Sequence, residues 1–227
     1  MDIIVELQNI VDRKVVGRDT IVLEAGCGST SHLVFPEEVY MVGIDISQTQ
    51  LERNASLDEK ILGDIQYFNF QPLSYDIIVC WDVLEHLPNP KMALQRFVGA
   101  VKDEGLIVLK LPNVISLKGI VTKYLPYPVR VIFYRYLLGN KEAGKEDTAP
   151  FRTYLRFSIA PSNIIKYMME NGLSVAYFNT YDVLSSAWFQ RNKVVWTLYR
   201  LLSGLLKFIT FGKFGDSEFI VVFQKIT

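Results

Sequence analysis

The sequence predicts an α/β protein in which a mainly parallel sheet of seven strands carries helices on both faces. Two observations support this fold class. Short apolar runs alternate with helical patterns up to about residue 111, and the first two runs each end in an acidic residue beside a glycine-rich turn. Strands that alternate with helices at this spacing are typical of parallel sheets. Because the strands then run in one direction, the groups that follow them should line one edge of the sheet.

Apolar periodicity and turn signals predict the individual elements. Helices are expected at 3–13, 30–35, 48–56, 90–101 and 161–171, and strands at 20–25, 39–44, 60–63, 75–81, 105–111, 173–182 and 217–224. Two stretches, 113–157 and 185–215, break the alternation. We expect them to form an α-helical lid on a single domain that comprises residues 1–227.

Composition narrows the class of protein. Half of the 227 residues are hydrophobic and 21% are charged, which suits a folded domain rather than a disordered chain. Cys27 and Cys80 have no metal-ligand partners nearby in the sequence, so we expect a reducing compartment and no metal. The N-terminus carries acids where a signal peptide has bases, and no stretch reaches ~18 uncharged apolar residues. We expect a cytoplasmic protein, with peripheral contact to the inner membrane face as an open alternative.

The net charge of zero hides an asymmetry between the two halves of the chain. Residues 1–104 hold 17 acidic and 8 basic side chains, whereas residues 105–227 hold 7 acidic and 16 basic ones. Such a split indicates an anionic partner for the basic half, although solvated surface lysines and arginines would explain it equally well.

The stretch from Val22 to Gly28 is the most informative part of the chain. An apolar run ends at Glu24, and two glycines, Gly26 and Gly28, follow at once. Glycine allows a tight turn whose backbone comes close to a ligand. The next apolar run ends at Asp45, so two neighbouring strands bring carboxylates to the same edge of the sheet. This arrangement is typical of sites that hold a nucleoside-bearing cofactor.

These motifs resemble those of the class I S-adenosylmethionine-dependent methyltransferases, which have a Rossmann-like sheet of this kind. The resemblance covers about residues 15–113 in unbroken order and resumes weakly after 157. It rests on Glu24-Ala-Gly-Cys-Gly28, Gly43-Ile-Asp45-Ile-Ser47, Leu62-Gly63-Asp64-Ile65, the stretch Tyr75–Pro90 and the stretch Glu104–Asn113. Five motifs in the right order are far more specific than a lone glycine turn.

The resemblance implies a site for S-adenosylmethionine at the ends of the first four strands. Asp45 is expected to accept hydrogen bonds from the ribose hydroxyls, Asp64 to contact the adenine amino group, and Glu24 to offset the cationic ammonium and sulfonium. Capping of a helix by Asp45 or of a turn by Asp64 remains an alternative. The expected cofactor-binding residues are Glu24, Ala25, Gly26, Cys27, Gly28, Asp45, Ile46, Asp64, Ile65, Cys80 and Trp81.

Two other functions remain open. A nicotinamide-dependent oxidoreductase would want a small residue where Ser31 stands, and Glu24 would repel the pyrophosphate of a dinucleotide. A binding or scaffold protein would keep the fold without turnover. Calorimetry with S-adenosylhomocysteine and with NAD separates the first alternative from a methyltransferase.

The turn after the fourth strand carries the candidate acceptor-side residues. The resemblance implies methyl transfer to an oxygen, nitrogen or carbon of a small or lipid-linked acceptor, including anionic ones. His86 is the candidate general base, because imidazole titrates near neutrality, although it can instead orient a loop. Asn113 can form a turn, and the two arginines can pack on aromatic rings. The expected acceptor-binding residues are Asp82, His86, Asn113, Arg152 and Arg156.

The stretch 185–215 contains five basic residues, seven aromatic residues and no acid. Along residues 193–209, polar positions recur at helical spacing and leave a wide apolar face that something must cover. A helical cap over the sheet, a membrane surface or lipid-like acceptor, and a homodimer are the alternatives. Nucleic acid is not expected as a partner, because bulky aliphatic side chains separate the basic ones.

Overall fold

The computed structural model of the chain describes residues 3–136, 140–145, 151–182, 193–210 and 214–227. Seven strands and seven helices lie within these ranges. The strands are β1 (Ile21–Ala25), β2 (Tyr40–Asp45), β3 (Glu59–Leu62), β4 (Tyr75–Trp81), β5 (Val101–Pro112), β6 (Leu173–Tyr181) and β7 (Glu218–Lys225). The helices are α1 (Ile3–Asp12), α2 (Gln48–Arg53), α3 (Pro90–Ala100), α4 (Leu117–Tyr124), α5 (Tyr127–Tyr136), α6 (Pro161–Glu170) and α7 (Lys193–Ile209).

All seven strands form one sheet in the order β3-β2-β1-β4-β5-β7-β6. The first five strands pair in parallel, whereas β7 is antiparallel to both of its neighbours. The predicted seven-stranded, mainly parallel sheet is therefore confirmed. Strands β2 and β3 are added on one side of β1, whereas β4 and β5 are added on its other side. At such a switch point between β1 and β4, a parallel sheet opens a crevice beyond its strand ends. The glycine turn after β1 and the residues after β4 lie at this point.

The hydrophobic core fills both faces of the sheet. Val22 and Leu23 are adjacent in β1 and belong to opposite cores, as the alternation of side chains along a strand requires. One core also contains Phe97 of α3 and Phe223 of β7, and the other contains Leu7 of α1. Burial on both faces explains why the central strands read as continuous apolar runs in the sequence.

The expected helix at 30–35 is wrong. The structure has no helix between β1 and β2, and this connection is an irregular loop. Gln8 of α1 fixes the loop, because its side chain donates to the carbonyl of Val34 at 2.6 Å and accepts from the amide of Val34 at 3.1 Å. Pro36 disfavours helical backbone at the residue before it. The helix expected at 48–56 is also shorter and ends at Arg53.

The two stretches predicted as lid insertions contain helices where the structure describes them. Helices α4 and α5 lie within 113–157, and α7 lies within 185–215. The parts of these predictions at 137–139, 146–150, 185–192 and 211–213 lie outside the described residues. Within the described ranges, none of the helices combines the length and the apolar character that a bilayer crossing requires.

Replacement of a core ring tests the packing of α3 on the sheet. Phe97→Ala should lower the free energy of unfolding by about 3–5 kcal/mol, because a buried ring leaves a cavity that its neighbours fill only in part. Urea unfolding followed by circular dichroism measures this change. Met169→Ala, on the exposed side of α6, is the matched control and should change the stability by ~0.5 kcal/mol or less. Equal losses in the two variants would contradict the placement of Phe97.

Candidate functional site

The glycine turn after β1 is held against the end of β2 by the backbone. The amides of Gly26 and Cys27 both donate to the carbonyl of Ile44, at 2.8 and 3.2 Å. Gly26 has a φ of +75°, and a Cβ atom at this position would lie 2.4 Å from a methyl group of Val83. Only glycine satisfies both the backbone conformation and this close approach. The turn after β1 therefore packs directly on the turn after β4.

Asp45 joins the glycine turn to the start of α2. One carboxylate oxygen accepts from the amide of Gly28 and the other from the amide of Ser47, each at 2.9 Å. Ser47 in turn caps α2, because its hydroxyl accepts from the amide of Gln50 at 3.3 Å. Each carboxylate oxygen can accept a second hydrogen bond, and Asp45 is only partly buried. Asp45 therefore organises the backbone and retains the capacity to bind hydroxyl groups.

Glu24 organises the loop between β1 and β2. The side chain is 2% exposed, and its oxygens accept from the Ser31 hydroxyl and, at 3.3 Å, from the His32 amide. Burial raises the pKa of Glu24, and these two hydrogen bonds oppose the rise. Both carboxylate oxygens of Glu24 therefore hold the loop. The sequence led us to expect that Glu24 offsets the positive charge of the cofactor, which does not require direct contact.

The residues after β2 and β3 differ in exposure. The Ile46 side chain is 77% exposed beside Asp45, whereas Ile65 is part of the core. Asp64 accepts from the backbone amide of Gln66 at 2.8 Å and from its side-chain amide at 3.0 Å. The buried Gln66 oxygen accepts from the amide of Asn89 at 3.0 Å. Asp64 thus connects β3 to the start of α3, and Ile46 offers an open apolar surface.

Several residues of the expected cofactor set are inside the protein. Ala25, Cys27 and Cys80 are buried, so they present backbone rather than side chains to the sheet edge. Burial, together with the charges of Asp45 and Glu24, raises the pKa of the Cys27 thiol to about 12. The thiol therefore stays protonated and unreactive at neutral pH. Trp81 stacks on His32, with ring centroids 5.1 Å apart.

A network of charges lies at the ends of β4, β5 and β7. Lys110 places its Nζ atom 2.5 Å from an Asp82 oxygen and 3.0 Å from a Glu218 oxygen. Glu218 also pairs with Lys118 of α4. Burial acts to lower the pKa of Lys110, but Asp82 and Glu218 together outweigh it and raise that pKa. Asp82 has a φ of +53°, a left-handed conformation that Asp tolerates better than most residues.

His86 lies in a short 3-10 turn, Leu84–His86, after β4. Its Nδ1 atom is 2.6 Å from the carbonyl oxygen of Arg152. A carbonyl oxygen only accepts, so Nδ1 must carry the hydrogen and Nε2 must hold the free lone pair. Burial lowers the pKa of His86, so that the neutral form persists below its ordinary pKa.

Glu85 fixes the segment that carries Arg152 to the turn after β4. Its backbone carbonyl accepts from the amides of Tyr154 and Leu155, at 2.9 and 3.0 Å. The side chain is buried, and burial raises the pKa of its carboxyl well above the ordinary value. Its Oε2 atom has no hydrogen-bond partner among the described residues. A neutral, protonated carboxyl is the form that such a position favours.

Three of the expected acceptor-binding residues have contacts within the protein that the sequence left open as alternatives. Asn113 is buried in a turn, where its amide nitrogen donates to the carbonyl of Asp216 at 3.0 Å and its oxygen accepts from the amide of Ile115 at 2.9 Å. Its amide is therefore used by the fold. Arg152 lies over the ring of Tyr127 and Arg156 over the ring of Tyr154, each at 5.6 Å. Both arginines are exposed and keep donors for a ligand.

Two cavities lie away from these residues. One, of about 270 Å³, is lined by the β1–β2 loop, including Leu33 and Phe35, and by the residues that precede β3. The other, of about 290 Å³, lies between α3 and α6. Neither lining includes Gly28, Asp45 or Asp82. No group of three or more metal-ligating side chains occurs in the described ranges.

The sequence reasoning missed three residues that shape the site, namely Lys110, Gln66 and Glu218. Lys110 and Glu218 could have been found from the sequence, because each is a charged residue in or beside an apolar run that must be buried. Gln66 could not have been found in this way, because its role depends on a hydrogen bond from the distant Asn89.

Comparisons with known proteins agree with this fold. Residues 23–107 match the family model of a methyltransferase domain. A ubiquinone biosynthesis O-methyltransferase of Neisseria meningitidis is 25% identical over 183 residues, which cover 74% of this chain and 70% of that protein. The YcgJ protein of Bacillus subtilis has a similar structure, with a TM-score of 0.59, 15% identity and coverage of 97% of this chain and 98% of that one. A Mesorhizobium loti S-adenosylmethionine-dependent methyltransferase gives a TM-score of 0.57, 11% identity and 96% coverage of both chains.

The sheet topology agrees with that of the S-adenosylmethionine-dependent methyltransferases among these structures. The family model, the O-methyltransferase relatives and the structural neighbours together support a class I S-adenosylmethionine-dependent methyltransferase. Its cofactor is S-adenosylmethionine, and it transfers a methyl group from that cofactor. The family assigned from the five sequence motifs is confirmed, and the nicotinamide and scaffold alternatives are not supported.

Two glycine substitutions test the packing of the glycine turn. Gly26→Ala should weaken binding of S-adenosylhomocysteine by about tenfold or more, because a left-handed non-glycine residue costs ~1–2 kcal/mol and its Cβ would clash with Val83. Calorimetry measures the dissociation constant. Gly99→Ala is the control, since a Cβ at Gly99 in α3 meets nothing within 4 Å. If the two variants bind equally, the close packing at Gly26 is refuted.

Proposed function

We propose that this protein methylates a hydroxyl oxygen of a small or lipid-linked acceptor, and that His86 receives the proton of that hydroxyl. The observation that carries the proposal is the hydrogen bond from His86 Nδ1 to the Arg152 carbonyl at 2.6 Å. It leaves Nε2 as the proton acceptor. The name of the Neisseria relative, an O-methyltransferase of ubiquinone biosynthesis, supports oxygen as the methylated atom and a lipid-linked acceptor.

The residues around the glycine turn fit S-adenosylmethionine. Asp45 has free acceptor capacity for the ribose hydroxyls, and the exposed Ile46 beside it offers an apolar surface for the adenine ring. Gly26 and Gly28 leave no side chain in the way of the backbone approach. The buried charge of Glu24 favours a cationic ligand over a pyrophosphate. Asp64, Trp81 and the backbone at Cys80 complete the proposed cofactor-binding set.

Bound S-adenosylmethionine supplies an electrophilic methyl group on a sulfonium. The protein must align the acceptor oxygen with that methyl group and accept the proton that the oxygen loses. His86 is held by Arg152 on one side and has Glu85 Oε1 3.8 Å from Nε2 on the other. Because burial lowers the pKa of His86, the imidazole is neutral at physiological pH and able to take a proton.

The charge network supports a polar acceptor with an anionic group. Lys110 is held rigidly between Asp82 and Glu218, while Lys118 at the edge of the network is more exposed. Arg152 and Arg156 stand on tyrosine rings in the segment that covers the turn after β4. Guanidinium groups that stack on a ring keep their donors free for a carboxylate or phosphate. These arginines are the proposed contacts for such a group.

Removal of the Asp45 carboxylate tests the cofactor assignment. Asp45→Ala should weaken S-adenosylhomocysteine binding by about 1.5–3 kcal/mol, the scale of lost hydrogen bonds to a charged group. Calorimetry gives the dissociation constant, and a thermal melt confirms that the variant is folded. Glu38→Ala, which removes an exposed acid on the β1–β2 loop, should bind as the unaltered protein does. An unchanged dissociation constant for folded Asp45→Ala would refute the assignment.

The pH dependence of methyl transfer tests His86. The rate should rise with pH through a midpoint below the ordinary histidine pKa of ~6.5 and then level off, because only the neutral imidazole accepts a proton. His86→Gln should lose this limb and about 10²–10⁴ of the rate. Single-turnover incorporation of labelled methyl groups into the lipid and aqueous phases of a cell extract measures the rate. His86→Gln should retain its affinity for S-adenosylhomocysteine, which separates a proton-transfer defect from a folding defect. Persistence of the same pH limb in His86→Gln would contradict the role.

A further inference from the structure

Helix α7 attaches to the rest of the protein through one side, on which Trp196, Tyr199 and Leu206 are half-buried. Ser203 is 5% exposed, and Lys207 pairs with Asp216, which precedes β7. Asp216 also accepts from the hydroxyl of Thr180 in β6 at 2.7 Å. These contacts anchor the helix at the edge of the sheet formed by β6 and β7.

The outward side of α7 is apolar. Val194 and Phe208, near the two ends of the helix, are 73% and 82% exposed. The spacing of the exposed apolar residues places them on one face of the helix, which is about 25 Å long. We call this surface the apolar face of α7; it consists of Val194, Leu198, Leu201, Leu202, Leu205, Phe208 and Ile209. The expected helical cap, with this face buried on the sheet, is therefore not what the structure shows.

The charged residues of α7 itself are all positive. Lys193 and Arg200 lie on the polar flank of the helix by their sequence spacing, and in the described part of the chain neither forms a salt bridge. Arg200 lies over the ring of Trp196, 5.7 Å from its centroid. From residue 183 to residue 215 the sequence has five bases and no acid. An apolar face flanked by basic side chains matches an anionic bilayer surface, in which charged headgroups border the acyl chains.

We propose that α7 docks this methyltransferase on the surface of a membrane that contains anionic lipids, with the apolar face among the acyl chains and Lys193 and Arg200 at the headgroups. The same charges disfavour a second copy of the chain as the occupant. If two apolar faces packed in antiparallel fashion about their centres near Leu201, the two Arg200 side chains would approach each other with no acid on either helix. Like charges in such positions oppose association.

A second exposed surface extends the docking region along the same edge. The amide of Gly215 donates to the carbonyl of Ile115 at 2.8 Å, and this contact joins the segment after α7 to the segment before α4. Helices α4 and α5 expose Val121, Tyr124, Val129, Ile132 and Tyr136, and the sequence has no acid between residues 105 and 141. The end of β5 and the charge network lie at this edge. Docking itself is independent of the acceptor, but it would bring a lipid-linked acceptor to the proposed site.

Vesicle flotation tests the docking surface directly. The full chain is floated at low salt with vesicles of phosphatidylcholine mixed with phosphatidylglycerol, and separately with vesicles of phosphatidylcholine alone. The unaltered protein should float with the mixed vesicles and much less with the neutral ones. Added salt should weaken the binding, because it screens the basic residues. K193Q/R200Q should lose most of the preference for anionic vesicles.

Charge placed on the apolar face provides the decisive comparison. L201E/L205E should partition at least about 100-fold less, because two leucine side chains lose their burial among acyl chains. The matched control, V34E/M169E, adds the same charge at two exposed apolar residues elsewhere and should float as the unaltered protein does. Calorimetry with S-adenosylhomocysteine shows whether each variant is folded, and its outcome does not depend on docking.

Three results would overturn the proposal. The first is an unaltered protein that stays at the bottom of the gradient at low salt with mixed vesicles. The second is an L201E/L205E variant that floats as well as the unaltered protein. The third is a dimer, detected by light scattering, that L201E/L205E converts to a monomer while neither form binds vesicles, which would assign the apolar face to a second copy of the chain.

Discussion

The carboxylate of Asp45 holds the glycine turn and the start of α2 together at the end of β2. Its two oxygens accept the amides of Gly28 and Ser47 at 2.9 Å each. The carbonyl of Ile44, one residue earlier, accepts the amides of Gly26 and Cys27. Four backbone amides in the two loops thus converge on two adjacent residues of one strand. This arrangement fixes the glycine turn and the start of α2. It leaves Asp45 able to accept further hydrogen bonds where a ribose would bind.

The strand order explains why a second centre lies beside the glycine turn. Strand β4 pairs with β1 on one side and β5 on the other, so that the turn after β4 packs on Gly26 through Val83. Asp82 and His86 follow in that turn, and Lys110 of β5 anchors Asp82. The proposed cofactor site on β1 and β2 and the proposed acceptor site on β4 and β5 therefore share one edge of the sheet. Methyl transfer requires this proximity, because the acceptor must meet the methyl group directly.

The sequence predicted what depends on local pattern and missed what depends on distant contacts. Asp45 and the two glycines follow strands whose apolar runs are legible in the sequence, and so the motifs identified both the fold and the cofactor. The helix expected at 30–35 failed because Gln8, far away in the sequence, binds Val34 and holds the loop open. The turn at Asn113 likewise depends on a distant residue, since the carbonyl of Asp216 accepts from its side-chain amide. The orientation of α7 could not be predicted either, because it involves an ion pair between Lys207 and Asp216, which lies outside the helix.

A structure of the complex with S-adenosylhomocysteine tests the central claim most directly. The account predicts both ribose hydroxyls within hydrogen-bond distance of the Asp45 carboxylate, with the adenine ring against Ile46 and the sulfur facing the turn that carries Asp82 and His86. A nucleoside bound elsewhere, or a ribose that makes no contact with Asp45 while the Gly28 and Ser47 hydrogen bonds persist, would contradict it.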